Sequence, residues 1–418
     1  MNPTNIQIIG ASLFAVAVLH TFSTKFFEKL AHTRPAHAGL CHLLGEVEVV
    51  FGLWAAVLMV AMFATEGKTA ATHYLDTRNF TEPLFVFAIM VAAASKPILQ
   101  GAGWVTRMLA QSLPLAPGRS FTLVTLTLVP LMGSFITEPA AMTLAALLLR
   151  DGLYSQSISN KLKYAVLGVL FVNVSIGGTL TPYAAPPVLM VASAWGWDLA
   201  FMFLNFGDKA ALAVFINAMG LVLMFSRELK ALPPLAQTTE AQPPLTITLI
   251  HVFFLAGIVV FAHHPSVFLG LFMLFLGFTA AYERYQSPLI LREGLLVAFF
   301  LAGLVVLGGQ QQWWLEPLLL KMDANAVFFG ATALTAITDN AALTYLGSLV
   351  PGLSDEFKYA LVAGAVTGGG LTIIANAPNP AGAAILKGKF PDQAIHAGGL
   401  LLAALPPTIV ALLCFKLI

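Results

Sequence analysis

Phe135-Ile-Thr-Glu-Pro-Ala-Ala-Met-Thr143 and Ala336-Ile-Thr-Asp-Asn-Ala-Ala-Leu-Thr344 are two versions of one nonapeptide, each with a carboxylate, Glu138 or Asp339, in an otherwise apolar stretch. A Lys-Tyr-Ala start follows each at similar distance (Lys163, Lys358), and then a glycine-rich break. The breaks read Gly177-Gly-Thr-Leu-Thr-Pro-Tyr-Ala-Ala-Pro-Pro187 and Gly368-Gly-Gly-Leu-Thr-Ile-Ile-Ala-Asn-Ala-Pro378. Acids at membrane depth are costly and rarely kept without a role, and discontinuous helices in corresponding places of two halves mark ion sites near the bilayer midplane.

The rest of the chain fits such a setting. Hydrophobic residues make up 58% of it and charged residues only 10%, against roughly 25% charged in soluble domains. This predicts an all-α polytopic membrane protein. A net charge of +1 excludes nucleic acid as an expected partner. Cys41 and Cys414 lie apart in hydrophobic segments and read as small apolar fillers, so no disulfide framework or cysteine metal site is expected. The N-terminus lacks a basic run and a small-residue cleavage site, so the first helix is expected to stay.

Membrane spans are predicted at 5–23, 37–64, 83–106, 164–197 and 199–226, and again at 246–263, 266–285, 290–309, 357–387 and 395–418. Each half carries one further apolar stretch, 120–150 or 324–350, interrupted by the acidic nonapeptide. Arms of roughly 10–18 residues are mostly too short for a ~30 Å hydrocarbon core and suggest a re-entrant helical hairpin. The polar, proline-rich segment 227–245 reads as a cytoplasmic linker between repeats 1–226 and 246–418. With the N-terminus outside, fourteen Lys and Arg residues, among them Arg107, Arg119, Arg150 and Arg292, collect at cytoplasmic ends. External ends keep five: Lys68, Arg78, Lys321, Lys358 and Lys416. Five crossings per half then invert the second half, and the two hairpin tips converge.

At the tips, Pro139 breaks the helix at Glu138, and Asp339-Asn340 is a turn pair. Carboxylate, freed carbonyls and the Thr137 and Thr338 hydroxyls make a hard-oxygen set suited to sodium or a proton. The plainer alternative is that the acids only cap the second arms, worth about 1 kcal/mol. In the breaks, paired glycines and prolines interrupt the helices, and Thr181, Thr372, Asn376 and Asn379 add neutral ligands. Glu46 and Glu48 in the second span read as ion-pair partners of Lys96, or one of them as a proton relay; Asp208-Lys209 reads as a structural or coupling pair. His32, His37 and His42 lack a metal-ligand spacing. Trp195, Trp197, Trp313 and Trp314 are expected as interfacial anchors.

Two hairpins with acidic or polar tips followed by Gly-Gly-x-Leu-Thr breaks resemble the ion transporter superfamily, which includes arsenite pumps, NhaD-type antiporters, and citrate and dicarboxylate transporters. Gly369-Gly-Leu-Thr-Ile-Ile-Ala-Asn-Ala-Pro-Asn-Pro380 is most similar to a branch described as "putative" sodium/proton antiporters. The resemblance implies a homodimer, scaffold helices, and a moving unit of hairpin plus broken helix that works by elevator-like alternating access. Dicarboxylate carriers have Ser-Asn-Thr at their tips. The acids here favour a cation over a di-anionic substrate.

The reading is therefore a secondary transporter in a bacterial inner membrane, exchanging sodium for protons at Glu138 and Asp339. Thr137, Thr338, Asn340, Thr181, Thr372, Asn376 and Asn379 supply neutral ligands, and no cofactor is expected beyond the transported ions. The alternative is a sodium-coupled symporter of a small carboxylate or oxyanion. A passive channel is a lesser rival. An intramembrane aspartyl protease fits poorly, because neither acid stands in Gly-x-Gly-Asp.

Overall fold

The computed structural model describes residues 3–233 and 242–418, so residues 234–241 of the expected linker lie outside the described residues. Among the described residues all regular structure is helical. The chain opens with α1 (Asn5–Thr33), α2 (Ala38–Gly45), α3 (Val47–Glu66) and α4 (Lys68–Asp76). Next come α5 (Thr81–Ala93), α6 (Lys96–Ser112), α7 (Pro117–Ile136), α8 (Glu138–Asp151), α9 (Asn160–Gly177) and α10 (Pro186–Trp195). A π-helical turn, Phe203–Gly207, joins α11 (Leu199–Met202) to α12 (Asp208–Met224), and α13 (Ser226–Lys230) follows. Beyond it run α14 (Leu245–Val260), α15 (Pro265–Ala281), α16 (Leu291–Gly308), α17 (Gln312–Leu319), α18 (Ala324–Thr335) and α19 (Asn340–Ser348). The chain ends with α20 (Asp355–Gly368), α21 (Asn379–Leu386) and α22 (Ala397–Leu417). Among the described residues, seven helical stretches are long and apolar enough to cross a bilayer, and the bent pair α5–α6 makes an eighth. This is an integral, polytopic membrane protein.

Local sequence explains many of the boundaries. Ser159 and Ser354 occupy matching places before the two Lys-Tyr-Ala starts. Each hydroxyl accepts a first-turn N–H, from Leu162 and Phe357 respectively, both at 3.2 Å, which satisfies an otherwise unpaired donor. Asp323 caps α18 in the same way through Ala326 N at 2.9 Å. The glycine pairs end α9 and α20, and Pro186 and Pro380 stand in the first turns of α10 and α21, where a missing N–H costs nothing.

Several spans depart from the expected boundaries. α1 continues to Thr33 because nothing stops it before Pro35. The span expected at 37–64 breaks at Glu46, whose backbone is extended between α2 and α3. The one expected at 83–106 is bent by 64° between α5 and α6. Ser95 is extended there, and Pro97 in the first turn of α6 cannot extend the α5 hydrogen-bond ladder. α7 is 20 residues long, more than the short arm expected, and tolerates Pro130 inside it. Trp197 is not an interfacial anchor but a buried core residue, stacked on Phe201 at 4.7 Å and set edge-on to Trp195. Both cysteines are buried and free.

The helices pack in two groups. One gathers α1, α3, α5, α14, α15 and α16; the other gathers α7 to α10, α12 and α18 to α22, with α5 and α6 against α7 and α8 at the seam. Within the second group the pairs cross over. α8 packs on α21, and α10 packs on α19. Each acidic tip thereby meets the helix that follows the other copy's glycine break.

Candidate functional site

The first tip is a single strained residue. α7 ends at Ile136 and α8 begins at Glu138, so the chain reverses at Thr137, with φ 71° and ψ 151°. Such a conformation costs a residue with a Cβ on the order of 1–3 kcal/mol and persists only where its surroundings enforce it. The Thr137 hydroxyl caps nothing and is buried without a hydrogen-bond partner.

Glu138 has no exposed surface. Its Oε2 accepts a hydrogen bond of 2.9 Å from Asn376 Nδ2, in the second glycine break, while its Oε1 is buried with no partner. The side chain fills space that only glycine leaves open. A Cβ built on Gly178 would lie 2.5 Å from both Cγ and Oε1 of Glu138. One carboxylate thus touches its own break through Gly178 and the other through Asn376.

The second tip is built differently. Asp339 is extended and caps α19, its Oδ1 accepting from Ala341 N at 2.8 Å and Ala342 N at 3.2 Å. The helix starts at Asn340, one residue later in the nonapeptide than α8 does. Asn340 is fully buried, and neither its Oδ1 nor its Nδ2 has a partner. Its backbone N–H reaches Ala375 O at 3.1 Å. A Cβ on Gly369 would lie 2.8 Å from Asn340 Nδ2. The residue that faces the glycine break, as Glu138 does in the first copy, is Asn340 and not Asp339.

The breaks are tied to the tips by hydroxyls. Thr181 donates to Ser134 O at 2.6 Å and Thr372 to Ala336 O at 2.9 Å. These threonines therefore brace the site. Thr338 bonds back to Leu334 O at 2.9 Å and is half-exposed, so it does not join the cluster. Asn379 donates to Gly369 O at 2.7 Å and Thr372 O at 2.8 Å, leaving its Oδ1 buried and unpartnered, as is that of Asn376. Ser134 was not singled out from the sequence. It donates to Gly177 O at 2.7 Å and accepts from Leu180 N at 2.9 Å, closing the first break. The readable signal was a hydroxyl in an apolar arm, one turn before the acid.

Five buried oxygens without a hydrogen-bond donor therefore belong to linked residues: Glu138 Oε1, Thr137 Oγ1, and the Oδ1 atoms of Asn340, Asn376 and Asn379. Buried polar atoms are normally satisfied, and a set of hard oxygens including one carboxylate is the donor chemistry of an alkali cation.

The other charges lie elsewhere. Glu46, the residue just before α3, pairs with Arg292, because α3 packs on α16 and brings Glu46 to that helix's first turn; the ion-pair partner of Glu46 is thus Arg292 and not the expected Lys96. Glu48 is within electrostatic reach of Asp339, and Asp339 of Glu138. Asp208 and Lys209 form no side-chain pair: Asp208 Oδ1 accepts the Lys209 backbone N–H at 2.8 Å, and Lys209 Nζ bonds Tyr359 OH at 2.9 Å.

A family model described as "Putative Na+/H+ antiporter" matches residues 5–418. No curated protein matches the chain. Among solved structures, the YdaH transporter of Alcanivorax borkumensis is similar at 14% identity, over 89% of this chain and 96% of its own, with a TM-score of 0.48.

Proposed function

This chain belongs to the transporter family described as "Putative Na+/H+ antiporter", and from that premise we propose that it exchanges sodium for protons across a bacterial inner membrane. The observation that carries the reading is Glu138: a carboxylate with no exposed surface, one oxygen held by Asn376 and the other unpartnered, as are four more buried oxygens on Thr137 and on the asparagines of the second tip and break. A bare anion at that depth is costly, and either a proton or a sodium ion removes the cost. Competition of the two ions for one carboxylate is the elementary condition of exchange.

In this reading Glu138 is the exchangeable group, with Thr137, Asn340, Asn376 and Asn379 as neutral ligands. Asp339 adds negative charge beside them while capping α19, and Glu48 passes protons between Asp339 and the end of the bundle where Glu46 meets Arg292. The nonapeptide repeat supports two inverted halves, 1–226 and 246–418, within the ion transporter superfamily. The strained turn at Thr137 and the cap at Asp339 are then the tips of re-entrant hairpins that approach each other from opposite sides. The division into two helix groups, which meet at α5–α8 and where α16 packs on α19, fits an elevator, in which the group carrying the tips moves against the other in a homodimer whose N-termini lie outside.

One observation favours a second reading. The Asn340 amide nitrogen is a buried donor without an acceptor, which suits a small anion carried together with sodium. Flux in proteoliposomes separates the two. A sodium gradient should drive proton movement with no added anion. An absolute requirement for a carboxylate or oxyanion would select symport.

A further inference from the structure

Away from the tips, the seam between α6, the start of α7 and the C-terminal half of α8 lines a half-open cavity of about 720 Å³. Sites for small ligands typically run to about 300–1,000 Å³ and pair apolar walls with a few placed polar groups. Here Leu99, Phe121, Leu144 and Leu148 supply apolar wall, and Lys96, Arg107 and Arg150 supply positive charge. Arg150 is neutralised by Asp151, which it meets through two hydrogen bonds of 2.7 and 3.0 Å. Arg107 is not. Among the described residues it makes no ion pair or hydrogen bond.

The direction of Arg107 is the telling feature. An arginine near the end of a membrane helix ordinarily extends its head towards water. This one turns back along α6. A Cβ on Gly103 would lie 3.5 Å from Arg107 Nη1 and 3.5 Å from Leu144 Cδ1, so the guanidinium lies in the α6–α8 seam beside the cavity. A half-buried guanidinium with no counter-charge and an apolar floor calls for an anion that carries hydrocarbon.

We propose that this cavity binds an anionic membrane phospholipid, its phosphate paired with Arg107 and an acyl chain along Leu99, Leu144 and Leu148. The position gives the lipid a consequence. α8 carries Glu138 at its first residue and forms the cavity wall with its other end, so occupancy bears on the helix that holds the exchangeable carboxylate.

The test uses the full-length protein, delipidated in a neutral detergent and titrated with phosphatidylglycerol, phosphatidylcholine or glycerol 3-phosphate. Thermal unfolding and native mass spectrometry of retained lipid are the readouts. Phosphatidylglycerol should raise the unfolding temperature and remain bound, and phosphatidylcholine should do neither at the same concentration. Arg107→Gln should weaken the phosphatidylglycerol response about ten- to hundredfold, the range for hydrogen bonds to a charged group. Leu148→Trp, which fills the cavity and leaves the charge in place, should lower lipid retention as well. It carries the test if Arg107→Gln fails to fold. Equal effects of the two lipids, or an unchanged response in both variants, would overturn the proposal. Glycerol 3-phosphate acting as strongly as the lipid would overturn it too, by moving the ligand to a soluble phosphate ester. None of these outcomes depends on whether the protein exchanges sodium for protons.

Discussion

Glu138 and Asp339 hold the same position in two nearly identical nonapeptides, yet they end in different chemical situations. In the first copy α8 starts at Glu138 itself, with Pro139 in its first turn; the turn falls on Thr137, and the carboxylate points into the space beside Gly178. No proline follows the second acid. Asp339 is a strong N-cap residue, so it takes the capping place and spends an oxygen on two backbone N–H groups. The helix starts one residue later, and the neutral Asn340 faces the other glycine break. Sequence symmetry at the tips thus gives way to a geometric asymmetry. In the proposed reading one carboxylate is available to an ion, and the other serves structure first.

That difference can be broken at several points. Glu138→Gln is expected to have the largest effect, a loss of sodium affinity of about a hundredfold or more, since the buried ion loses its only fully inward carboxylate. Sodium-dependent thermal stabilisation of the purified protein measures it, and a wild-type response from the variant would refute the assignment. Asn376→Ala removes the donor to Glu138 Oε2 and should weaken sodium binding by about 1.5–3 kcal/mol, read from the same titration. Gly178→Ala should come next, at roughly tenfold weaker binding, because its Cβ displaces the carboxylate. Gly369→Ala presses on Asn340 and Ser175 instead, so it should lower stability more than sodium affinity.

The smaller effects sharpen the contrast. Asp339→Ala should cost about 1 kcal/mol of stability through the lost cap, whereas Asp339→Asn keeps a capping side chain and should cost only a few tenths. Equal destabilisation in thermal melts would show that the charge, not the cap, holds Asp339 in place. Thr137→Gly should raise stability, by on the order of 1 kcal/mol, as the positive φ no longer opposes a Cβ. The same variant should respond less to sodium, having lost an oxygen.

Much of this molecule was legible in its sequence because the signals are local. The glycine–proline breaks, the Ser159 and Ser354 caps and the apolar helices follow from backbone chemistry that a few residues decide. Of the tip residues, Glu138 and Asn340 do meet the glycine breaks, whereas Asp339 caps α19 and Thr338 bonds back to its own helix. What was not legible depends on partners far along the chain. Nothing near Glu46 announces Arg292, and nothing near Asn376 announces Glu138, 238 residues away. The bend before Lys96 did have a cue, Ser95 and Pro97, but the apolar run around it reads as one span. The offset at the second tip hid behind an alignment that pairs acid with acid, where geometry pairs Glu138 with Asn340.

In the proposed reading the two tips are unequal and Glu138 carries the exchanged ion. Sodium-driven proton movement in proteoliposomes tests it most directly, with wild type, Glu138→Gln and Asp339→Asn reconstituted side by side. Glu138→Gln should abolish the signal, while Asp339→Asn should retain a reduced one. Proton movement that survives Glu138→Gln, or that falls equally in both variants, would contradict it.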